Sequence, residues 1–571
     1  SSPSARDMSR RPLARDAVTI HERFHSFKSS TTSSRQSAPR RAPRRRATRM
    51  PPKSAKTPDR ARSAGETSTL RGDVTVAVDI GGGSLKLCVA EDGVSSARVV
   101  PNAAARVKNV DGRMVMLYGA RVGEARDVNG LALRRPVDRG FVVNWELQRE
   151  ILDDAFRNDL RVDPKRCDVI VTEPPFALPK TREGLDAMLF EHFGFRRAAT
   201  TSSALATKRF ADRVDAYKRD ADDLSVISRS AVVVDCGFSF AHATAIVSGR
   251  EMARGIRRLN LGGKALTNYL KELVSFRQWN MMDESVVIED VKEKMCYVAD
   301  DALVELEKCK ARRGGTVRKE YVLPDGIHIL RGYVREDDAD GKKPDGSDED
   351  DDEDEDDEDD DDFGARGPKK RKPKKKLSKK VKTPRADQPD HQFLTLVNER
   401  FMVPETLFHP SDIGARQCGV PELVAQALET KELREEERAL CYMDVILTGG
   451  CASFPNFVER FERELRPLVS ETYAVRVRRV EDPITAACAG CVDIAMDRPC
   501  FEACSITKEE YLANKAKIQE AHASLDFAPE TRTGRLREYA AQPSDVSTEH
   551  IDSECARLTP SLEKEVIPAE I

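Results

Sequence analysis

Three glycine turns, each at the end of an apolar run and each in a different third of the globular-looking sequence, constrain this chain more than anything else in it. They are VTVAVDIGGGSLK (Val74–Lys86), AVVVDCGFSFAH (Ala231–His242) and DVILTGGCASFP (Asp444–Pro455). Glycine reaches φ > 0 and has no Cβ, so a glycine turn after a β-branched run lets backbone N–H groups approach phosphate oxygens closely. One such turn is weak evidence. Three in order, two of them carrying an Asp (Asp79 and Asp235), predict an α/β chain whose turns hold a nucleotide between two lobes, with the Asp pair facing a hydrated Mg²⁺.

This order of motifs resembles the actin, Hsp70 and sugar-kinase superfamily. The resemblance implies an actin-like two-lobed ATPase fold of duplicated ribonuclease-H-like domains. Stretches outside the turns point to the actin relatives: GFVVNWELQREILDDAF (Gly140–Phe156) and VTEPPFALPKTREGLDAMLFEHFGF (Val171–Phe195) are similar to actin. The run from Arg257 to Asp301, with KALTNYLKE and a later MDE, is similar to a nuclear class of actin-related proteins. Similarity resumes at YVLPDG (Tyr321–Gly326), NERFMVPETLFHPSDIG (Asn398–Gly414) and the third turn, covering most of residues 73–515.

Carried over residue by residue, the resemblance implies that Gly81, Gly82 and Gly83 form the first phosphate turn and that Lys86 reaches the phosphates of ATP or ADP. Asp79 and Asp235 would face the Mg²⁺ through water, and Gly237, Phe238 and Ser239 would lend backbone N–H groups. Lys292 and Glu293 would contact the adenosine, with Gly449 and Gly450 lining the far side of base and sugar. Actins position the attacking water with a Gln and a His. His242 is present here, but Ser203 stands where the Gln belongs. A serine hydroxyl is too short to reach the same water, so hydrolysis is expected to be weak or absent. The WxGG-like motif near the end of the actin core is replaced by Cys488-Ala489-Gly490-Cys491.

Local patterns add secondary structure and boundaries. Val74–Asp79 and Leu85–Ala90 read as a hairpin around the first turn. Leu266, Leu270, Leu273 and Val274 recur at helical spacing within Lys264–Phe276, and Val286–Ala299 reads as a second helix. The spacing Cys488, Cys491, Cys500, Cys504 could offer four thiolates to zinc, yet DPITAACAGCVDIAM reads better as a core helix with buried thiols. Residues 73–335 and 393–515 read as two parts of one globular core.

Around that core lie segments that cannot bury apolar surface. Residues 1–72 form a Ser-, Arg- and Pro-rich arm and 336–392 an insert, both expected to be disordered, and 516–571 is a polar tail, with one helix-like stretch, Lys508–Ser524, overlapping the end of the core. The formal net charge of −3 therefore conceals a basic head and a bipolar insert: Asp348–Asp362 is wholly acidic, and PKKRKPKKKLSKKVK (Pro368–Lys382) follows it. That second run and RRAPRRRATRMPPKSAK (Arg40–Lys56) have the composition of nuclear-import signals. The rival readings are an organellar transit peptide for the arm and a functionally idle solvated loop for the insert, whose acidic block could also engage histone tails or shield its own lysines. No apolar run approaches the ~18 residues that span a bilayer, and thirteen scattered Cys fit a reducing compartment.

Three functions compete. The resemblance favours a nuclear scaffold subunit of a Swr-type chromatin remodeller that exchanges a histone for its variant, alongside a motor ATPase and a zinc-finger subunit, with histones or the nucleosome as further partners. A sugar-kinase-type phosphotransferase is suggested by DIGGG (Asp79–Gly83) but lacks a recognisable catalytic Asp between the lobes. A cytoskeletal polymer would carry the insert and both tails on every subunit.

Overall fold

The computed structural model describes residues 70–108, 111–218, 229–310, 316–335 and 391–524. The basic cluster Arg40–Lys56, both charged blocks of the insert and the tail beyond Ser524 lie outside the described residues.

β1 (Thr75–Ile80) and β2 (Ser84–Val89) form an antiparallel hairpin around the first glycine turn, with Asp79 opposite Lys86, and β3 (Arg98–Pro101) pairs with the other edge of β2. β4 (Ala104–Lys108), β5 (Met114–Tyr118) and β6 (Leu133–Arg134) make a side sheet with β4 in its centre, and β7 (Val137–Asp138) with β8 (Phe141–Val142) closes a short hairpin. α1 (Trp145–Asp154) starts at Asn144, whose side chain accepts from the Leu147 N–H at 3.0 Å. β9 (Asp168–Glu173), α2 (Pro179–Asp186) and β10 (Arg197–Ser202) complete this part, with β1, β9 and β10 parallel. Val76, Ala77 and Val78 are all buried, as expected of a central strand covered on both faces.

α3 (Ser203–Lys218) then leads to a second lobe that repeats the scheme. β11 (Ala231–Cys236), β12 (Ala241–Val247) and β13 (Arg250–Leu259) form an antiparallel meander. α4 (Gly263–Arg277), α5 (Ser285–Met295) and α6 (Ala302–Cys309) follow. A small sheet has β14 (Lys319–Val322) between β15 (Tyr333–Val334) and β16 (Phe393–Leu396). After α7 (Glu399–Glu405), α8 (Val420–Leu428) and α9 (Glu435–Tyr442), β17 (Val445–Thr448) runs parallel to β11; α10 (Phe457–Leu465) leads to β18 (Val477–Arg479), parallel to β17. The two main sheets thus share one plan, β3-β2-β1-β9-β10 and β13-β12-β11-β17-β18, each a meander followed by parallel strands. That is the duplication expected from the sequence.

α11 (Ala486–Met496) and α12 (Arg498–Cys504) return the chain to the first lobe, where β19 (Ser505–Thr507) joins the edge of β10. α3 and α11 are therefore the two helical crossings between lobes. They meet where Gly490 lies against Ala206: a Cβ on Gly490 would stand 1.8 Å from the Ala206 carbonyl oxygen. The Gly retained from the altered WxGG-like motif is the one this contact requires.

One expected boundary shifts by a turn. The helix expected over Val286–Ala299 ends at Met295, because the N–H groups of Tyr297 and Val298 pair with the carbonyls of Arg400 and Pro455 instead of continuing the helix. The helix-like stretch expected at the end of the core is α13 (Lys508–Ser524), which docks on the first lobe through Tyr511 stacked on Phe190 at 4.7 Å. Cys488 and Cys491 on α11 and Cys500 and Cys504 on α12 are buried in one apolar cluster with Ala77, Ile170 and Phe501, and burial pushes all four thiols up. Among the described residues no group of three or more His, Cys, Asp or Glu is placed to hold a metal ion, so the zinc reading gains no support. No described helix is long and apolar enough to cross a membrane.

Candidate functional site

The three turns meet in one cleft of about 730 Å³ between the lobes, within the range of small-molecule and cofactor sites. Gly81, Gly82, Gly83, Lys86, Asp79, Asp235, Gly237, Phe238, Ser239, His242, Lys292, Glu293, Gly449 and Gly450 all line it.

Close approach explains the glycines. A Cβ on Gly82 would lie 2.5 Å from Ser239 Oγ, and one on Gly83 would lie 2.9 Å from the Phe238 ring, so the first turn touches the second across the cleft. Gly449 has φ +88°, and its Cβ would stand 2.5 Å from the Cys236 backbone and 2.6 Å from Asp235 Oδ1. The second turn is partly self-satisfied. Gly237, expected to offer its N–H to a ligand, donates it to the Phe240 carbonyl at 3.0 Å because that bond closes the β11–β12 hairpin. The carbonyls of Gly237 and Phe238 accept from Gly263 N (3.0 Å) and Lys264 N (2.9 Å), strapping the start of α4 to the turn.

Two carboxylates enter from opposite lobes. Asp79 accepts from Thr172 Oγ1 at 2.6 Å and pairs with Lys86 Nζ at 3.0 Å. Burial opposes the Lys86 charge, but the Asp79 and Asp235 carboxylates more than offset it, and the ammonium pKa is raised. Asp235 is pushed up to about 6 by burial first and the Asp79 charge second, with Lys86 opposing. Two carboxylates fit a hydrated Mg²⁺, which takes one or two protein carboxylates and completes its shell with water and phosphate.

His242 sits directly opposite Asp235 in the β11–β12 pairing. Burial, helped by the Arg258 charge, lowers its pKa to about 4, which keeps the imidazole neutral near pH 7. Ser203, the first residue of α3, lines the cleft with Thr207 one turn further on, whose hydroxyl is buried without a hydrogen-bond partner. On the far wall Lys292 donates its ammonium to Thr267 Oγ1 (2.9 Å) and the Gly263 carbonyl (3.2 Å), tying α5 to α4. Glu293 also lines the cavity, its pKa raised by burial.

Sequence reasoning missed Thr172, Arg135 and Glu289. Each lines the cavity from an element that carries no glycine turn: Thr172 is brought in by the β1–β9 pairing, Arg135 by the route from β6 to β7 and Glu289 by the packing of α5.

The family model for actin matches residues 72–522. The chain is 36% identical over 442 residues to "Actin-related protein 6" of Oryza sativa subsp. indica, covering 77% of this chain and 96% of that protein. It is 36% identical over 388 residues to "Actin-related protein 6" of Arabidopsis thaliana, covering 67% and 84%. With the Drosophila melanogaster protein of the same description it shares 32% identity over 445 residues, covering 77% and 97%. On this coverage, together with the duplicated sheets and the three turns around one cleft, the chain belongs to the actin family, with the actin-like two-lobed fold, and within it to the actin-related protein 6 group.

Proposed function

We propose that this chain is a nuclear scaffold subunit of a Swr-type chromatin-remodelling complex that deposits a variant histone, and that it holds ATP or ADP with Mg²⁺ as a structural ligand with little or no hydrolysis. The observation that carries the ligand part is the pairing at the attack position. Neutral His242 faces the cleft from one lobe, and the short Ser203 side chain stands on the other where a longer amide would be needed to hold water. In phosphoryl transfer the protein contributes chiefly positioning and electrostatics, so losing one of two positioning groups removes most of the rate while leaving binding intact. Bound nucleotide supplies negative charge that draws the glycine turns of both lobes together. The chain's own residues would supply the rest: Asp79 and Asp235 would hold the hydrated metal, Lys86 stands beneath the first turn, and neutral His242 would accept a hydrogen bond from water.

The partner assignment rests on the actin-related protein 6 group and on the import-type clusters Arg40–Lys56 and Pro368–Lys382. Affinity purification of the tagged chain from nuclear extract, with mass spectrometry of the eluate and chromatography of the nucleotide released on denaturation, tests both halves. The reading expects a large assembly containing a motor ATPase and a zinc-finger subunit, and retained nucleotide. Elution as a lone polypeptide that phosphorylates small molecules would replace it with the phosphotransferase.

A further inference from the structure

Arg135 lies between β6 and β7, at the mouth of the cleft, and makes three contacts that belong to two lobes. Its Nη1 donates to the Gly83 carbonyl of the first turn at 2.7 Å. Its Nη2 stands 3.4 Å from Glu289 Oε2 on α5. Its guanidinium carbon sits 4.6 Å from the centroid of the Phe238 ring, the same ring that presses on Gly83. The side chain is mostly buried, and burial pulls its pKa down against the Glu289 charge.

Other bridges cross the mouth further out. Gly130 N donates to Glu284 Oε2 at 2.8 Å, Asn129 Nδ2 to the Pro324 carbonyl at 3.1 Å, and Arg331 to the carbonyls of Gly123 and Ala125 at 2.7 and 2.8 Å. The Gly130 bridge is exposed to water, which competes for its groups, and the others are at most partly covered. Arg135 differs because it grips the phosphate turn itself and because its mostly buried planar cation also stacks on an aromatic face, a pairing that adds to its charge-assisted hydrogen bonds.

We infer that Arg135 is the clasp of the cleft: it ties the first phosphate turn to Phe238 and Glu289 of the opposite lobe, and opening that tie is the step that limits escape of a bound nucleoside phosphate. The inference rests on the nucleotide-holding reading for its ligand, and on the contacts alone for the closure. Ligand and clasp share the first turn without sharing groups. Gly83 offers its carbonyl to Arg135, whereas a phosphate takes N–H donors.

The test loads the full chain with etheno-ATP and Mg²⁺ and follows fluorescence during a chase with unlabelled ATP. Arg135→Ala should release the probe at least about tenfold faster than the unsubstituted protein, Arg135→Lys should fall between them because it keeps charge without a planar face, and Glu289→Gln should accelerate release more mildly. Unchanged release in Arg135→Ala overturns the clasp. If the unsubstituted chain retains no etheno-ATP, the ligand reading fails separately, and hydrogen exchange of the nucleotide-free protein decides the closure. Arg135→Ala must then speed exchange across residues 119–135 and 284–293 while β1, β9 and β11 stay protected; equal exchange in those segments overturns it. Milder Glu289→Gln keeps both readouts usable should Arg135→Ala fold poorly.

Discussion

Thr172 Oγ1 and Asp79 Oδ1 lie 2.6 Å apart, so the end of one parallel strand fixes the carboxylate at the end of its neighbour. A hydrogen bond to a charged group contributes about 1.5–3 kcal/mol. Thr172→Val keeps the shape and removes the donor. It should lower the melting temperature of the nucleotide-free protein and weaken Mg²⁺-dependent nucleotide retention, both measured by scanning calorimetry with and without ATP. An unchanged melting temperature would show that Asp79 needs no such restraint.

Asp235 and His242 give the site opposite pH responses. The folded pKa of Asp235, about 6, lies above the ordinary carboxylate value of 3.8, so its contribution favours folding at low pH and is withdrawn as pH rises through about 6. The folded pKa of His242, about 4, lies below the ordinary imidazole value of 6.5, so its contribution is present above pH 6.5 and lost as pH falls toward 4. Metal binding requires the ionised Asp235. The rise in melting temperature caused by Mg²⁺ and ATP should therefore be small at pH 5 and full near pH 7.5, and small at both in Asp235→Asn. Combined Asp79→Ala and Asp235→Ala should abolish Mg²⁺-dependent retention; equal nucleotide content in that variant and the parent would sink the metal assignment.

Ser203 and His242 set turnover. The isolated chain should hydrolyse ATP no faster than a slow actin monomer, and Ser203→Gln should raise the steady-state rate by at least about tenfold with little change in nucleotide affinity. Phosphate release by a coupled assay distinguishes this from robust hydrolysis by the parent protein, which would make the chain an enzyme.

Gly490 reverses the usual helix rule. In an exposed helix interior Gly→Ala stabilises by roughly 1 kcal/mol. Here the added methyl would meet the Ala206 carbonyl oxygen at 1.8 Å, forcing α3 and α11 apart. Gly490→Ala should destabilise by about 3 kcal/mol or more, seen as a lower denaturant midpoint.

Import is predicted to depend mainly on Pro368–Lys382, with Arg40–Lys56 as a second signal. Deleting both should leave a fluorescently tagged chain in the cytoplasm; persistent nuclear fluorescence would mean that a partner carries it in.

Much of this architecture was legible because the constraints are local. Gly81–Gly83 and Gly449 announce themselves as turns, and Val74–Asp79 as a strand. What stayed hidden depends on tertiary placement. Nothing near Arg135 in the sequence distinguishes it from Arg134, and only the route of the chain from β6 to β7 sets it on Phe238. Lys292 lines the cleft as the resemblance implies, but that its ammonium is held by Thr267, a partner twenty-five residues earlier on another helix, is visible only in the fold. The glycine in Cys488–Cys491 looked like the remnant of a lost motif until the crossing at Ala206 gave it a purpose.

The small sheet also explains how the family core accommodates so long an insertion. β15 and β16, which flank residues 336–390, both pair with β14, and Val334 and Leu394 face the same residue, Tyr321. Chain therefore departs and returns two strand spacings apart, about 10 Å. Lengthening a loop whose ends are already pinned costs only about 0.6 kcal/mol per doubling. The outer edge of β16 is meanwhile sealed, since the Gln278 amide bonds both the N–H (2.8 Å) and the carbonyl (2.6 Å) of Thr395. The β16 edge beside the insertion is thus covered by a side chain, leaving no unpaired Thr395 backbone to recruit another chain there.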